Sequence, residues 1–493
     1  MKQINVFFLS LCLISLIGSL NSCREDIVID TPEIDLSFSL DTLRFDTVFT
    51  EIGTITRFVK VYNNELDAVI IDNISLANSD ESFFRLNADG IAGQAISDIR
   101  VEGQDSVYIF VEATINPNNP LEVSPFVIED NILINVNESD YSVQLEAWGQ
   151  NANYIPSRFS AGDITAANCN GTLVWNDSKP YVIYGVLAID QCNLVIEAGT
   201  EVFVHGGIAI NENGIFNDGI LVITEAGSLT INGTPDEPVT IKSDRLEESF
   251  QEVQGQWGGI LIQSESRNNR ISNTIIQHSI VGISVDSAAT LDIQNTEISF
   301  TSGSGLIGSH AFISAENCLF HSNAISGISI NYGGFYSINH CTVANYDNQG
   351  AALSMNNFRC TDPLCEGQIL VNPLVAELNN CLFVGNEDDE ISLVDLTDGE
   401  TGFFDYQMNN CIVTVDELLE ADAFPEFFDN CNNCENITRQ DTLFFDLPDF
   451  DYHLDTLSLA IDFGIPIQGI ETDLEGNPRE IPEVDAGCYE FQK

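Results

Sequence analysis

Few side chains in this 493-residue sequence fall into groups that could do chemistry. Arg267 and Arg270 stand three apart in the run Ser266-Arg-Asn-Asn-Arg270, and either could serve as a base that takes a proton from a bound substrate. Asp388 and Asp389 are adjacent, and hydrolysis of a glycosidic bond requires two carboxylates in partnership. The longer acidic run Glu387-Asp-Asp-Glu390, like Asp446-Leu-Pro-Asp-Phe-Asp451, gathers the oxygen ligands that a hard cation such as Ca²⁺ takes. Neither run has the spacing of an EF-hand or of a glycine-rich calcium nonapeptide, so Ca²⁺ is the one cofactor kept open. The six histidines, His205, His278, His310, His321, His340 and His453, share no metal-ligand spacing and read as structural or exposed. No Ser-His-Asp arrangement and no phosphate-binding glycine loop can be picked out.

Cysteine usage and the N-terminus bear on compartment. Lys2, the apolar run from Val6 to Ile17 and the ending Leu20-Asn21-Ser22-Cys23 predict a secretory signal over 1–22, too short for a good membrane span. The ending resembles a bacterial lipobox with Cys23 as the lipidated residue, although Asn21 departs from the small apolar residue usual there. Arg24-Glu25-Asp26 resembles the charged export signal of Bacteroidetes lipoproteins. That resemblance implies an outer-membrane protein at the cell surface, held to the membrane by its lipid, with residues 23–35 as a tether. Of 13 cysteines, Cys12 and Cys23 are accounted for, and the remaining 11 leave at least one thiol free. Cys360 and Cys365 flank an acidic insertion and suit a local disulfide. Cys431-Asn-Asn-Cys434 has redox spacing but no helix start to lower a thiol pKa, so it reads as structural.

The formal charge is −58, from 17 basic and 75 acidic residues. Such a surface repels nucleic acid and polyanionic glycans, because phosphate and uronate contacts need Lys and Arg. Partners are therefore expected among glycans or surface proteins, and not among nucleic acids.

The elements that position these residues are announced by a repeat. Gly259-Ile-Leu-Ile, Gly282-Ile-Ser-Val, Gly305-Leu-Ile, Gly327-Ile-Ser-Ile and Gly350-Ala-Ala-Leu follow one another at steps of 23, 23, 22 and 23 residues. Between them run Asn273-Thr-Ile-Ile, Asn295-Thr-Glu-Ile, Asn317-Cys-Leu-Phe and His340-Cys-Thr-Val, and later Asn380-Cys-Leu-Phe and Asn410-Cys-Ile-Val. Apolar and polar residues alternate within each unit, which is strand patterning, and no 3.6-residue stripe is present. A unit of this length suits three short strands that coil once and return one strand spacing along, the rung of a parallel β-helix. Cys318, Cys341, Cys381 and Cys411 share one phase, predicting a ladder of buried free thiols.

The expected organisation is a small antiparallel β-sandwich over 36–150, a right-handed parallel β-helix over 158–435 and a C-terminal cap over 436–493 that closes the last coil through Asp462, Arg479, Asp485 and Glu490. Steps of 40 residues place excursions from the coil at 233–255 and 356–378. In the sandwich, Val59-Lys-Val-Tyr-Asn63 leading to Val69–Ile74 resembles immunoglobulin-like modules of the ASPM/SPD2/hydin class, which implies a spacer or binding role. Leu194-Val-Ile-Glu-Ala-Gly-Thr-Glu-Val, Trp257-Gly-Gly-Ile260, Ser458-Leu-Ala-Ile-Asp462-Phe-Gly and Asp473-Leu-Glu-Gly-Asn-Pro-Arg479 resemble β-helix proteins of the pectin-lyase-like superfamily. The superfamily implies either a polysaccharide lyase, with Arg267 or Arg270 as base, or a glycoside hydrolase, with Asp388 and Asp389. The Asn-Thr-Asp, Asp-Asp, Gly-His-Gly and Arg-Ile-Lys set of its polygalacturonases is missing. The leading expectation is a non-catalytic surface protein for glycan or protein binding and adhesion, with the lyase or hydrolase as alternative.

Overall fold

The computed structural model describes residues 28–29, 31, 34–49, 56–78, 82–113, 126–150, 152–157, 159–211, 214–246, 248–346, 350–362, 365–397, 399–420, 424, 427–439 and 441–492. The signal 1–22, Cys23 and most of the 23–35 tether lie outside them. The chain forms two compact units, Met1–Asn151 and Ala152–Lys493.

Among the described residues the first unit is a sandwich of two five-stranded sheets. With β1 at Leu36–Phe38, β2 at Thr42–Phe49, β3 at Arg57–Asn63, β4 at Val69–Leu76, β5 at Phe84–Ala88, β6 at Ile91–Gly93, β7 at Ala95–Val101, β8 at Ser106–Ala113, β9 at Phe126–Val136 and β10 at Ser139–Gln150, the orders are β1-β3-β8-β5-β6 and β2-β10-β9-β4-β7. Period-two alternation decides which residues meet: Val59, Val61, Ile109, Val111, Ile132, Ile134, Val143 and Leu145 are fully buried between the sheets. The pairings are antiparallel except that of β2 with β10, which is parallel and qualifies the all-antiparallel expectation.

The second unit is a right-handed parallel β-helix, one sheet of 24 strands from Asn153–Ile155 to Glu435–Asn436. It starts a few residues before the expected 158. Three columns of parallel strands wind about a common core. The first carries the glycine phrases and is joined as Ile220↔Gly259, Ile283↔Leu306, Leu306↔Ile328 and Ile328↔Leu353. Gly282 and Gly327 stand where coils approach closely: a Cβ would lie 2.3 Å from the Gly305 carbonyl oxygen in one case and 2.1 Å from Val343 in the other. The second column is joined as Arg270↔Asp292, Asp292↔Ser314, Ser314↔Ser337 and Ser337↔Glu377. The third is joined as Ile275↔Glu297, Glu297↔Leu319, Leu319↔Thr342 and Thr342↔Leu382.

The asparagine phrase is the corner between the second and third columns. Asn273, Asn295, Asn317, His340, Asn380 and Asn410 all take left-handed φ, between 45° and 53°, a conformation Asn tolerates better than most residues. The next position turns inward. Thr274 and Thr296 there donate to the carbonyls of Ser272 and Gln294, and Cys318, Cys341, Cys381 and Cys411 donate to those of Glu316, Asn339, Asn379 and Asn409. The four thiols are free and buried. Hydroxyl and thiol thus fill one structural role along the stack.

Three disulfides cross the second unit among the described residues: Cys360–Cys365, Cys431–Cys434 and Cys169–Cys192, the last uniting neighbouring coils. The excursions differ from expectation. Val239–Ser243 is a ladder strand paired with Glu201–His205, so the coil is left only after Ser243 and rejoined at Trp257. A hairpin of Gly207–Asn211 with Gly214–Asp218 is an excursion that gave no break in the glycine period. The antiparallel pair Phe358–Cys360 and Ile369–Val371 lies in the expected 356–378 insertion, but the coil resumes earlier, at Leu374, which pairs with Gly334.

The C-terminal segment requires a correction. The end of the coil is plugged by the turns Glu417–Glu420 and Phe427–Asn430, where Phe427 is buried and Phe424 and Phe428 pack on the β-helix core. Residues beyond 436 run back as a belt along the outside of the third column, and its Leu443, Phe444, Tyr452 and Ala486 cover Leu319, Ala344, Leu382, Val384 and Ile412. The belt is pegged to the corner: Asn317, Asn380 and Asn410 donate to the carbonyls of Thr472, Ile465 and Phe463. Arg479 is buried, ion-paired with Glu490 at 3.1 Å and donating to Asn317. It fastens the belt sideways instead of closing a coil. A helix rim never exposes a row of apolar Leu and Ile to water at no cost, which explains why a lateral cover is present.

Candidate functional site

Outward side chains of the second column form three rows, because alternate residues of each strand face solvent and the coils stack in register. One row reads Asn268, Thr290, Phe312, Phe335 and Val375, and the next reads Thr230, Arg270, Asp292, Ser314, Ser337 and Glu377. The third includes Asn339, Asn379 and Asn409, which bond amide to amide at 2.9 and 2.8 Å and stiffen the edge.

The first two rows line an open groove of about 800 Å³. Its floor is apolar in an unusual way. Phe312 and Phe335 are 41% and 45% exposed, and their rings stack with centroids 5.1 Å apart and planes 6° from parallel. Arg267 lies over Phe312, with its guanidinium carbon 5.8 Å from the ring centroid. Arg270 pairs with Asp292 at 3.3 Å. The two arginines are therefore brought together at one border of the groove, one engaged by an aromatic ring and the other by a carboxylate. Each guanidinium is thus already engaged by a neighbouring side chain. Glu316, on the following coil, has its pKa raised by partial burial and then by the nearby Asp292.

Asp388 and Asp389 lie elsewhere, on the coil of Leu382–Gly385, four strand pairings beyond that of Arg270 and so roughly 19 Å along the axis at ~4.8 Å per coil. Asp388 is held by Arg439 at 2.8 Å. Asp389 accepts the backbone N–H groups of Asp416 and Leu418, capping the terminal helical turn. Glu390 is buried and accepts from Ala352 N–H, Asn345 and Glu387 N–H, and burial pushes its carboxyl up to about 7. Asp388, Asp389 and Glu390 thus each have their own protein partners. No group of three or more His, Cys, Asp or Glu placed to hold a metal occurs among the described residues. Asp388 and Asp389, the acid pair of the hydrolase expectation, are thus engaged separately, one by Arg439 and the other by backbone N–H groups.

The aromatic pair is the feature that sequence reasoning missed, though a signal existed: Phe312 and Phe335 are one repeat apart, 23 residues, at an outward phase.

A family model described as a pectate-lyase-like β-helix domain matches residues 167–290, about a quarter of the chain. The second unit has that fold. No curated protein matches the chain. Among solved structures, the catalytic unit of a GH87 α-1,3-glucanase from Streptomyces thermodiastaticus is similar at 11% identity over 72% of this chain and 79% of that one, with a TM-score of 0.22. An ASH/PapD-like domain of human CEP192 is similar at 9% identity over 27% of this chain and 97% of that domain, TM-score 0.17. A family 123 glycoside hydrolase from Clostridium perfringens is similar at 8% identity, TM-score 0.18, and the chain spans 30% of its length. Superpositions this loose say nothing further about the chain.

Proposed function

We propose that this chain is a lipid-anchored, exported protein of Bacteroidetes type that binds glycan through its β-helix without cleaving it, Cys23 carrying the anchor and an immunoglobulin-like sandwich preceding the binding unit. The observation that carries the binding reading is the stacked Phe312–Phe335 pair, exposed on the floor of a groove walled by Asn268, Thr290, Ser314, Ser337 and Glu377. Ring faces attract the C–H faces of sugars, while hydroxyl, amide and carboxylate side chains exchange hydrogen bonds with sugar hydroxyls. A net charge of −58 favours an uncharged polymer.

The non-catalytic reading is supported by how the candidate chemistry is spent: Arg270 and Asp292 on each other, Asp388 on Arg439 and Asp389 on backbone N–H groups. The test uses the ectodomain from residue 24 onward, retarded by electrophoresis in gels that each contain one neutral polysaccharide. Retardation that is weakened in Phe312→Ser/Phe335→Ser supports the reading. An unretarded wild-type protein across the panel, or release of oligosaccharides, overturns it.

A further inference from the structure

The sandwich carries an aromatic surface of its own. On the outward face of the β1-β3-β8-β5-β6 sheet, Phe58, Tyr62, Tyr108 and Phe110 are 46%, 36%, 38% and 39% exposed. Register brings them together: Phe58 stands opposite Phe110, Lys60 opposite Tyr108 and Tyr62 opposite Ser106. Phe58 meets Tyr108 edge-on at 5.1 Å and Phe110 at 6.1 Å, while the planes of Tyr108 and Phe110 lie 12° from parallel. The Lys60 ammonium sits 4.5 Å from the Tyr108 ring centroid. Around the rings, Asn87 and Ser106 supply neutral polar groups, and Arg85 stands opposite Glu112.

The opposite face of the sandwich is built differently. It presents Arg44, paired with Glu146 at 3.2 Å, together with Gln144, Asn131 and Asn135, and among the described residues a single exposed large apolar side chain, Leu133, with no exposed aromatic ring beside it. Scattered exposed apolar residues are ordinary, whereas Phe58, Tyr108 and Phe110 touch one another in one patch.

We propose that the Phe58/Tyr62/Tyr108/Phe110 face is a second glycan-binding surface, distinct from the β-helix groove and selective for uncharged polysaccharide. This rests on the glycan reading of the groove. Charge selects the occupant. The face holds the Lys60 ammonium against its rings, with Arg85 and Glu112 at its border and Asp105 close enough to act on Lys60, in a chain of −58. A second copy would bring 58 further negative charges, and an anionic polymer would be repelled by the same surroundings. A neutral polymer meets no such repulsion, stacks on the rings and accepts hydrogen bonds from Lys60, Asn87 and the tyrosine hydroxyls.

The test compares four ectodomains from residue 24 onward: wild type, the groove variant Phe312→Ser/Phe335→Ser, the face variant Phe58→Ser/Tyr108→Ser/Phe110→Ser, and both combined. All altered side chains are exposed, and thermal melting checks that each protein folds. Affinity is read from retardation in neutral-polysaccharide gels. The groove variant is expected to keep residual binding, the face variant to lose about 10-fold, and the combination to lose all retardation. A face variant that binds like wild type, with a combination no weaker than the groove variant, overturns the inference and leaves the groove reading standing. A wild-type protein that is not retarded overturns both. Sedimentation that shows a wild-type dimer and a monomeric face variant overturns the glycan assignment in favour of self-association.

Discussion

Phe312 and Phe335 are the residues on which binding is expected to turn. A stacked ring contact contributes on the order of 0.5–1.5 kcal/mol, so Phe312→Ala and Phe335→Ala are each expected to weaken glycan binding roughly 2- to 12-fold by calorimetry, with unchanged melting. Arg270→Ala, at an exposed ion pair, should change stability by less than about 1 kcal/mol. Two buried groups give opposite signs with pH. Burial raises the Glu390 carboxyl from 4.5 to about 7, so its contribution is fully present below pH 4.5 and is lost as pH rises through 7. His340, lowered first by burial and then by Arg479, acts in the other direction below its ordinary 6.5. The clean readout is therefore the melting difference between wild type and Glu390→Gln: it should favour wild type most near pH 4.5 and shrink steadily towards pH 8. A difference independent of pH would contradict the account of Glu390. His453 behaves like Glu390 in sign: burial alone would lower its pKa, but hydrogen bonds to Asp451 and Glu475 raise it, so the hold it gives the belt weakens as pH rises above 6.5.

Among elements, the coil was the most legible. The 22- to 23-residue period predicts the parallel columns because a repeated phrase can stack only if each copy meets its neighbour in register, as Asp292, Ser314 and Ser337 do. The asparagine phrase predicted periodicity but not its cause, which is left-handed backbone at a corner. The belt was illegible for a physical reason: its contacts with Asn317, Asn380 and Asn410 join residues 53 to 155 apart and leave no local pattern. The same holds for Cys169–Cys192, which joins coils and not loop ends. The candidate site was legible only in part: Arg267 and Arg270 were found as residues, whereas Phe312 and Phe335 read simply as strand formers. Two changes separate the elements experimentally. Phe427→Ala, in the plug, should cost about 3–5 kcal/mol in denaturant unfolding, as for other large buried rings. Cys341→Thr should cost less than about 1.5 kcal/mol, because Thr274 and Thr296 already fill the equivalent position. A large loss from Cys341→Thr would show that the thiol ladder does more than donate to the carbonyl two residues back.

For the whole molecule, charge and fold point the same way. A chain of −58 with 17 basic residues has little with which to hold a polyanion, and its long β-helix offers outward rows that repeat every coil. Repetition suits a polymeric ligand, since several successive coils can contact successive units of one chain. Binding of polyanions such as DNA should be undetectable at about 0.15 M salt, where exposed charges interact only over ~8 Å. The central claim is capture without cleavage, and one measurement meets it directly. The wild-type ectodomain is incubated with a panel of neutral and acidic polysaccharides, with and without Ca²⁺, and each mixture is assayed for bound protein and for new reducing ends or unsaturated products. The account predicts retention on at least one neutral polysaccharide, dependence on Phe312 and Phe335, and no products in any mixture. Depolymerisation of any member of the panel, lost in Arg267→Ala or Asp388→Ala, would contradict it.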